Sequence, residues 1–272
     1  MDTLRSDIRR ALTSWGFIAG LAGMCAALFF GSFDTILAVM QNGSQGGLPA
    51  GFHEQALFGA LSSSVMMLCV PILAALPYTS AFVDEYKSGY IKQSLPRAGI
   101  RPYVRSKVLA TGISGGLVLF AGIILTYIAF ALIFTPMEIA PQPMDTDSMG
   151  MAMAASGMNG QIAQPSMFME IIGRGFIFFL SGCFWSLVGA LLAAITMSRY
   201  MAYAFPFIVY YVLVILCQRY FTGLYSFNPQ EWLNPVSVWP GGTWGIILLL
   251  GEIILVVGIT LTIAIKRRLT DA

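Results

Sequence analysis

Long apolar runs dominate this chain and limit what it can fold into. An α-helix needs about 20 apolar residues to cross the hydrocarbon core of a bilayer. Six segments have that character, at residues 17–39, 56–78, 108–135, 175–197, 202–216 and 244–265. Hydrophobic residues make up 57% of the chain and charged residues only 10%, whereas a soluble domain has about 25% charged residues. The sequence therefore predicts an all-α membrane protein with six transmembrane helices.

The segment before the first apolar run has the pattern of an amphipathic helix. Apolar residues recur at three- and four-residue spacing opposite three arginines, as Leu4, Ile8, Ala11, Leu12 and Trp15 against Arg5, Arg9 and Arg10. This pattern predicts an interfacial helix over residues 1–15 with its arginines toward anionic lipid; the alternative is a frayed basic terminus. No signal-peptide cleavage pattern follows, so we expect the first span to be retained within a six-span domain over residues 16–272.

The basic residues indicate the orientation. With six spans, thirteen of the fifteen Lys and Arg fall on one face, in residues 1–15, 79–107, 198–200 and 266–268. Only Arg174 and Arg219 fall on the other face. Because basic loops stay in the cytoplasm, we expect both termini to be cytoplasmic. The net charge of +2 is too small to indicate a nucleic-acid partner.

Three segments are predicted to face outward. Residues 41–55 are Gly-rich, and we interpret their lone His53 as an ordinary loop residue. Residues 136–170 hold eight of the fifteen methionines. Methionine thioethers are suitable ligands for Cu(I), but no histidine or cysteine accompanies them. A mobile loop is therefore favoured over copper handling, and no metal site is assigned. Residues 219–243 combine aromatic residues and prolines, which predicts a reentrant segment dipping into the outer interface.

Motifs for catalysis are missing from the sequence. There is no GxxxxGK[ST] phosphate loop and no G-x-S-x-G elbow. The four cysteines, Cys25, Cys69, Cys183 and Cys217, show no C-x-x-C spacing and are interpreted as small buried hydrophobes. We therefore expect a chain that is not an enzyme, binds no cofactor and cannot hydrolyse ATP alone.

A polar segment over residues 79–107 separates the second and third apolar runs. It holds six of the fifteen basic residues, namely Lys87, Lys92, Arg97, Arg101, Arg105 and Lys107. Val83, Tyr86 and Tyr90 follow helical spacing; Gly89 is expected to break the helix and Pro96 to end it. The pattern predicts a short helix under the membrane that offers a surface to a soluble partner.

Part of this segment resembles a known family. Glu85-Tyr86-Lys87-Ser88-Gly89 is similar to the E-x-x-S-G pattern in the cytoplasmic loop of ABC-2 type permeases, the membrane subunits of bacterial ABC exporters. RPYVRSK at residues 101–107 and Leu-Asn-Pro at 233–235 also resemble that family. The similarity covers the whole topology.

The resemblance implies a function and partners. It implies a permease in the bacterial cytoplasmic membrane, paired with a second copy or a sister chain and driven by a separate ABC ATP-binding subunit that carries ATP and Mg. The loop at 79–107 would be the coupling loop in a groove of that subunit. There Glu85 would pair with a basic residue of the subunit or cap the neighbouring helix, and Lys87 and Lys92 would contact the subunit or lipid phosphates.

Other positions are candidates for a transport path or for packing. In the resembling family, spans two and five flank the path, which makes Met66, Met67 and Phe207 candidate lining residues. Glu252 lies deep in the last run, where an ionisable group suggests an ion pair with Arg174 or Arg219, or a role in substrate passage. Gly112-x-x-x-Gly116 in the third run is a candidate helix crossing.

Two other functions stay open alongside the exporter of an apolar or amphipathic cargo such as a lipid, drug or peptide. One is an ATP-independent channel or secondary transporter, for which Glu252 would be an ion site. The other is an ABC permease that handles copper through the Met-rich outer loop. The sequence does not name the cargo.

Overall fold

The computed structural model describes residues 2–42, 52–134, 167–220, 227–234 and 242–270, and these residues form helices joined by short turns. They contain eleven helices and no strand. The helices are α1 (Asp2–Leu12), α2 (Trp15–Asn42), α3 (Phe52–Leu61), α4 (Ser64–Ala75), α5 (Ala81–Lys87), α6 (Tyr90–Ala98), α7 (Ile100–Ile133), α8 (Met167–Thr196), α9 (Arg199–Arg219), α10 (Pro229–Leu233) and α11 (Gly242–Thr270).

Five of these helices are long and apolar enough to cross a membrane. They are α2, α7, α8, α9 and α11, with candidate spans of 21 to 34 residues. The all-helical fold and these spans confirm the predicted class of a multi-pass membrane protein. The predicted helix at the N-terminus is also present, as α1, so the alternative of a frayed terminus is wrong.

The second predicted span is divided in two. Helices α3 and α4 are separated at Ser62 and Ser63; the backbone of Ser63 is extended, and its side chain accepts a hydrogen bond from the amide of Met66 at 3.3 Å. Ser63 is thus the N-cap of a new helix. Both helices lie along α2 in antiparallel order, since Gly59 is beside Thr35 and Leu73 is beside Gly20. A single continuous helix over residues 56–78 was therefore a wrong prediction.

Helix α8 lies at the centre of the bundle. Within its most apolar stretch 72% of the residues are buried, against 17% for α11. It packs antiparallel to α7 with almost no side chain between the backbones: a Cβ added at Gly182 would lie 2.6 Å from the Gly115 carbonyl oxygen. The crossing is centred on Gly115, Gly116 and Gly182, while Gly112 makes an ordinary van der Waals contact with Leu187.

One end of the bundle collects the basic segments, and we call it the basic end. There Gly16 at the start of α2 lies against Leu76 and Pro77, which follow α4. Arg268 near the end of α11 contacts Ile195 near the end of α8. The segments that carry most of the basic residues therefore lie together at one end of the bundle, as the charge distribution predicted, and α1, α5 and α6 are at this end. That this end faces the cytoplasm stays a prediction.

The short helices α5 and α6 form the segment between α4 and α7. Gly89, with φ of +73°, separates them and confirms the predicted break. Pro96 lies inside α6, which continues to Ala98, so the prediction that Pro96 ends the helix is wrong by two residues. The end comes at Gly99, where φ is +76° and the amide donates to the Leu95 carbonyl at 2.9 Å.

The segments at the opposite end are described in part. His53 lies in the first turn of α3 with its ring centroid 5.6 Å from that of Tyr127, so its interpretation as a loop residue is wrong. Of the Met-rich loop, residues 136–166 lie outside the described residues. Of the segment 219–243, residues 221–226 and 235–241 lie outside them; α10 is present, capped by Asn228 and with Trp232 buried. A reentrant path there stays a prediction.

Candidate functional site

A buried ionic cluster at the basic end is the most distinctive chemical feature of the described residues. Its centre is the ammonium group of Lys107 in α7. Lys107 Nζ donates to Glu85 Oε1 at 2.6 Å, to Asp7 Oδ1 at 2.8 Å and to the Tyr78 hydroxyl at 2.9 Å. An ammonium group has three donors, and here all three are used.

Glu85 of α5 is the second member. Its Oε1 also accepts from Arg10 Nη1 at 3.0 Å, and its Oε2 accepts from the Tyr103 hydroxyl at 2.6 Å. Glu85 and Lys107 are 4% and 3% exposed, whereas the Arg10 side chain is 62% exposed. Burying a carboxylate is costly unless it is paired and hydrogen-bonded, and both oxygens of Glu85 accept such bonds.

Asp7 of α1 is the third member. Its Oδ1 accepts from Lys107 and from the Tyr78 hydroxyl at 3.0 Å, and its Oδ2 accepts from Ser106 Oγ at 2.6 Å. Burial raises the pKa of the Tyr78 phenol, in the turn after α4, to about 12. The phenol therefore keeps its proton, and it can donate to Asp7 while it accepts from Lys107.

The cluster balances its charges and joins distant parts of the chain. Two carboxylates, Asp7 and Glu85, face two cations, Lys107 and Arg10. The Lys107 ammonium also lies 5.1 Å and 5.4 Å from the ring centroids of Tyr78 and Tyr103, at cation–π distance. Buried ion pairs stabilise a fold only when every group has its hydrogen-bond partners. The members of this cluster have theirs, and the cluster links α1, α5 and α7.

The local sequence explains why these groups meet. Tyr103, Ser106 and Lys107 are three and four residues apart and share one face of α7. Asp7 lies three residues after Leu4 and four before Ala11, so it shares the apolar face of α1. That acidic residue on an apolar face is a sequence signal for the site, and neither hydropathy nor a count of charges detects it.

A second ionic link holds the other side of α5. Asp84 pairs with the guanidinium of Arg199 at the start of α9. Asp84 Oδ2 also accepts from Ser80 Oγ at 3.1 Å, and Ser80 Oγ in turn accepts from the Tyr203 hydroxyl at 3.0 Å. The short helix α5 is thus connected to α1 and α7 through Glu85 and to α9 through Asp84.

The predicted coupling residues divide between two environments. Glu85 is buried in the cluster, and Tyr86 is half-buried with its ring 6.1 Å from that of Phe82. Lys87 and Ser88 are exposed, and so is Lys92 of α6. Gly89 forms the left-handed turn between α5 and α6. The solvent-exposed side of α5 and α6 therefore carries Lys87 and Lys92, while Glu85 faces the protein interior.

A cavity of about 490 Å³ opens beside the cluster at the basic end. Arg10 of α1, Tyr90 of α6 and Tyr203 of α9 line it, together with Asp84 and Glu85 of α5. It therefore lies where the two ionic links converge on α5.

The other predicted residues lie away from this cluster. Met66 and Met67 of α4 are buried within the single chain, and Phe207 of α9 is half-buried with its ring centroid 5.0 Å from that of Tyr211. Glu252 is exposed on α11 next to Gly251, at which an added Cβ would meet nothing within 4 Å.

Metal ligands do not gather in the described part of the chain, where no three His, Cys, Asp or Glu side chains are placed to hold an ion. Cys183 and Cys217 are buried, Cys25 and Cys69 half-buried, and all four are free thiols. Six of the eight methionines of the Met-rich loop lie outside the described residues, so copper binding there stays a hypothesis.

Comparison with known proteins assigns no family. The chain matches no protein-family model, no curated protein and no solved structure. The fold and the site therefore define a class: a multi-pass helical membrane protein in which a buried ionic cluster joins an N-terminal amphipathic helix to the ends of the bundle helices.

Proposed function

We propose that this chain is the permease subunit of an ATP-driven exporter, similar to the ABC-2 type. In this proposal a separate ATP-binding subunit contacts α5 and α6 from the cytoplasm, and two permease chains form the transport path. The observation that carries the proposal is the pair of ionic links on α5. A force applied to the exposed side of α5 would reach α1 and α7 through Glu85 and α9 through Asp84.

The proposal gives each of the predicted coupling residues a role. Lys87 and Lys92, which are exposed, would contact acidic groups of the ATP-binding subunit. Glu85 would pass the movement on from inside the permease, since its carboxylate is already occupied by Lys107, Arg10 and Tyr103. Gly89 would let the two short helices turn at the contact. ATP and Mg would be bound by the partner subunit alone.

The path would lie between the two permease chains, with an apolar or amphipathic cargo. Phe207, half-buried on α9, would be available to the path. Met66 and Met67, which are buried, would reach the path only if α4 moves relative to its neighbours. The divided second span would then count as the sixth transmembrane segment.

The test is co-purification of the tagged full-length chain with a candidate ABC ATP-binding subunit from the same genome. Lys87→Glu combined with Lys92→Glu should reduce recovery of that subunit by about tenfold or more, since like charges at a contact cost several kcal/mol. The matched control is Arg5→Glu combined with Arg9→Glu, which changes the same charge at two exposed positions of α1. Unchanged recovery and unchanged transport in the lysine variant would contradict the proposal.

A second candidate is an ATP-independent secondary transporter. The division of the second span favours it, because such transporters often bind ions at broken helices. Purified protein in liposomes distinguishes the two: transport driven by an ion gradient without ATP or any other subunit would support the second candidate. Transport that needs the ATP-binding subunit and ATP would support the first.

A further inference from the structure

A groove at the basic end lies between the last turns of α8 and α11. It has a volume of about 470 Å³. Leu191 and Ile195 of α8 and Ile263 of α11 form its apolar walls, and Arg267 and Arg268 of α11 also line it. It is separate from the ionic cluster, none of whose members lines it.

The apolar part of the groove opens toward the bilayer. Ile195 and Ile263 are 50% and 47% exposed, although both lie on candidate spans. In a membrane such exposed side chains meet lipid tails, and a groove between two helices can hold one tail along its length.

The two arginines give the groove its charge. Arg268 Nη2 donates to the Ile195 carbonyl at 2.6 Å, which holds the guanidinium over the groove and satisfies a carbonyl in the last turn of α8. A guanidinium has five donors, so others are left for a ligand. Arg267 is exposed, and among the residues that the structure describes none of those lining the groove is acidic.

We propose that this groove binds one anionic phospholipid from the cytoplasmic leaflet. Arg267 and Arg268 hold its phosphate by charge-assisted hydrogen bonds, and Leu191, Ile195 and Ile263 hold an acyl chain. Arginines at helix ends often reach the headgroups without binding any particular lipid. Here the hydrogen bond to the Ile195 carbonyl holds Arg268 beside an apolar groove. This combination distinguishes a lipid-binding site from the general attraction of basic residues for anionic headgroups. The proposal does not depend on the exporter function.

The test measures lipid binding by native mass spectrometry of the full-length chain in mild detergent. Phosphatidylglycerol should bind as one retained molecule, and phosphatidylcholine with the same chains should not. Arg267→Gln combined with Arg268→Gln should weaken phosphatidylglycerol binding about thirtyfold, and Arg267→Gln alone about fivefold. The single variant keeps the bond from Arg268 to Ile195, so it remains informative if the double variant does not fold.

Two controls separate the site from its alternatives. Arg101→Gln combined with Arg105→Gln removes the same charge from exposed positions at the start of α7, and it should leave binding unchanged. Ala264→Trp fills the groove and keeps both arginines, so it should weaken lipid binding if an acyl chain lies there. Equal losses in both arginine pairs, or full binding in Ala264→Trp, would overturn the proposal. Displacement of the lipid by millimolar inorganic phosphate would mean that the arginines bind phosphate without a chain, and would also overturn it.

Discussion

Lys107 Nζ lies 2.6 Å from Glu85 Oε1, and both groups are almost completely buried. The pair connects the first turns of α7 with α5, two segments that the sequence separates by 22 residues. Asp7 brings α1 to the same ammonium group from 100 residues away. Lys107 is the one member that pairs with both carboxylates, so its loss removes more ion pairs than the loss of Asp7 or Arg10.

Replacing Lys107 with methionine should therefore lower stability strongly. The change leaves Asp7 without a cation and Glu85 with only the exposed Arg10, and breaking a buried ion pair typically costs about 3–5 kcal/mol. We expect a large drop in the thermal unfolding midpoint of the detergent-solubilised protein. The control is Arg105→Met, on the same helix but exposed, which should change the midpoint little.

A double variant tests whether the loss comes from the cluster. Adding Glu85→Gln to Lys107→Met removes the buried carboxylate that would otherwise depend on Arg10 alone, so part of the stability should return. Additive losses from the two substitutions would show that Lys107 and Glu85 do not interact.

Asp7→Asn should release α1 from the bundle. The amide oxygen can still accept a hydrogen bond from Lys107, but it carries no charge, and the loss of this ion pair costs about 1.5–3 kcal/mol, the range of a hydrogen bond to a charged group. Trypsin should then cleave after Arg5 and Arg9 at least about tenfold faster, since 1.4 kcal/mol corresponds to tenfold in an opening equilibrium. Ser6→Asn places the same side chain one residue away on an exposed position. A similar acceleration in Ser6→Asn would mean that helix propensity, not the ion pair, controls access.

Gly182→Val should destabilise the crossing between α7 and α8. A Cβ at Gly182 would lie 2.6 Å from the Gly115 carbonyl oxygen and 2.9 Å from Gly116 Cα. Neither backbone can move without separating the helices, so we expect a loss of about 3 kcal/mol or more in unfolding free energy. The matched control is Gly173→Val in the same helix, where an added Cβ meets nothing within 4 Å. Equal losses at both positions would contradict a backbone contact at this crossing.

Glu252→Leu should leave stability unchanged or increase it in lipid nanodiscs. The side chain is exposed on α11, and a carboxyl group facing lipid near the bilayer centre costs about 2.5–3.5 kcal/mol on insertion scales. The measurement is the thermal unfolding midpoint in nanodiscs. A clear drop would indicate that another membrane helix covers Glu252 in the assembled protein and supplies it with a hydrogen bond.

Hydropathy predicts most of this fold, because a membrane helix is recognised by its length and apolar character. It did not predict the division at Ser63. Serines are tolerated inside continuous membrane helices, where their hydroxyls bond to carbonyls of the preceding turn, so a Ser-Ser-Ser run does not by itself predict a break. The break is evident only once Ser63 caps α4 and Gly31 of α2 packs closely against it.

The site was only partly predictable for a different reason. Glu85 was recognised in a motif, but its partners Arg10, Tyr103 and Lys107 come from α1 and α7, and their meeting depends on helix packing. Lys107 was counted as one more basic residue at a membrane boundary, although Asp7, Tyr78 and Glu85 surround its ammonium group and leave the residue 3% exposed. Charge counts place a residue on one side of a membrane; they do not distinguish a solvated lysine from a buried one.

The division at Ser63 has a mechanical consequence for the second segment. The half farther from the basic end, α3, packs on the distal part of α7, where Phe52 contacts Phe134, while the half nearer that end, α4, packs on α8 and α9 beside the ionic cluster. Since no continuous ladder of backbone hydrogen bonds crosses Ser63, a tilt of α4 would not be transmitted to α3 through the backbone. A displacement that begins at α5 would then spread sideways into α4 and α9 and leave the far ends of α2 and α7 at rest.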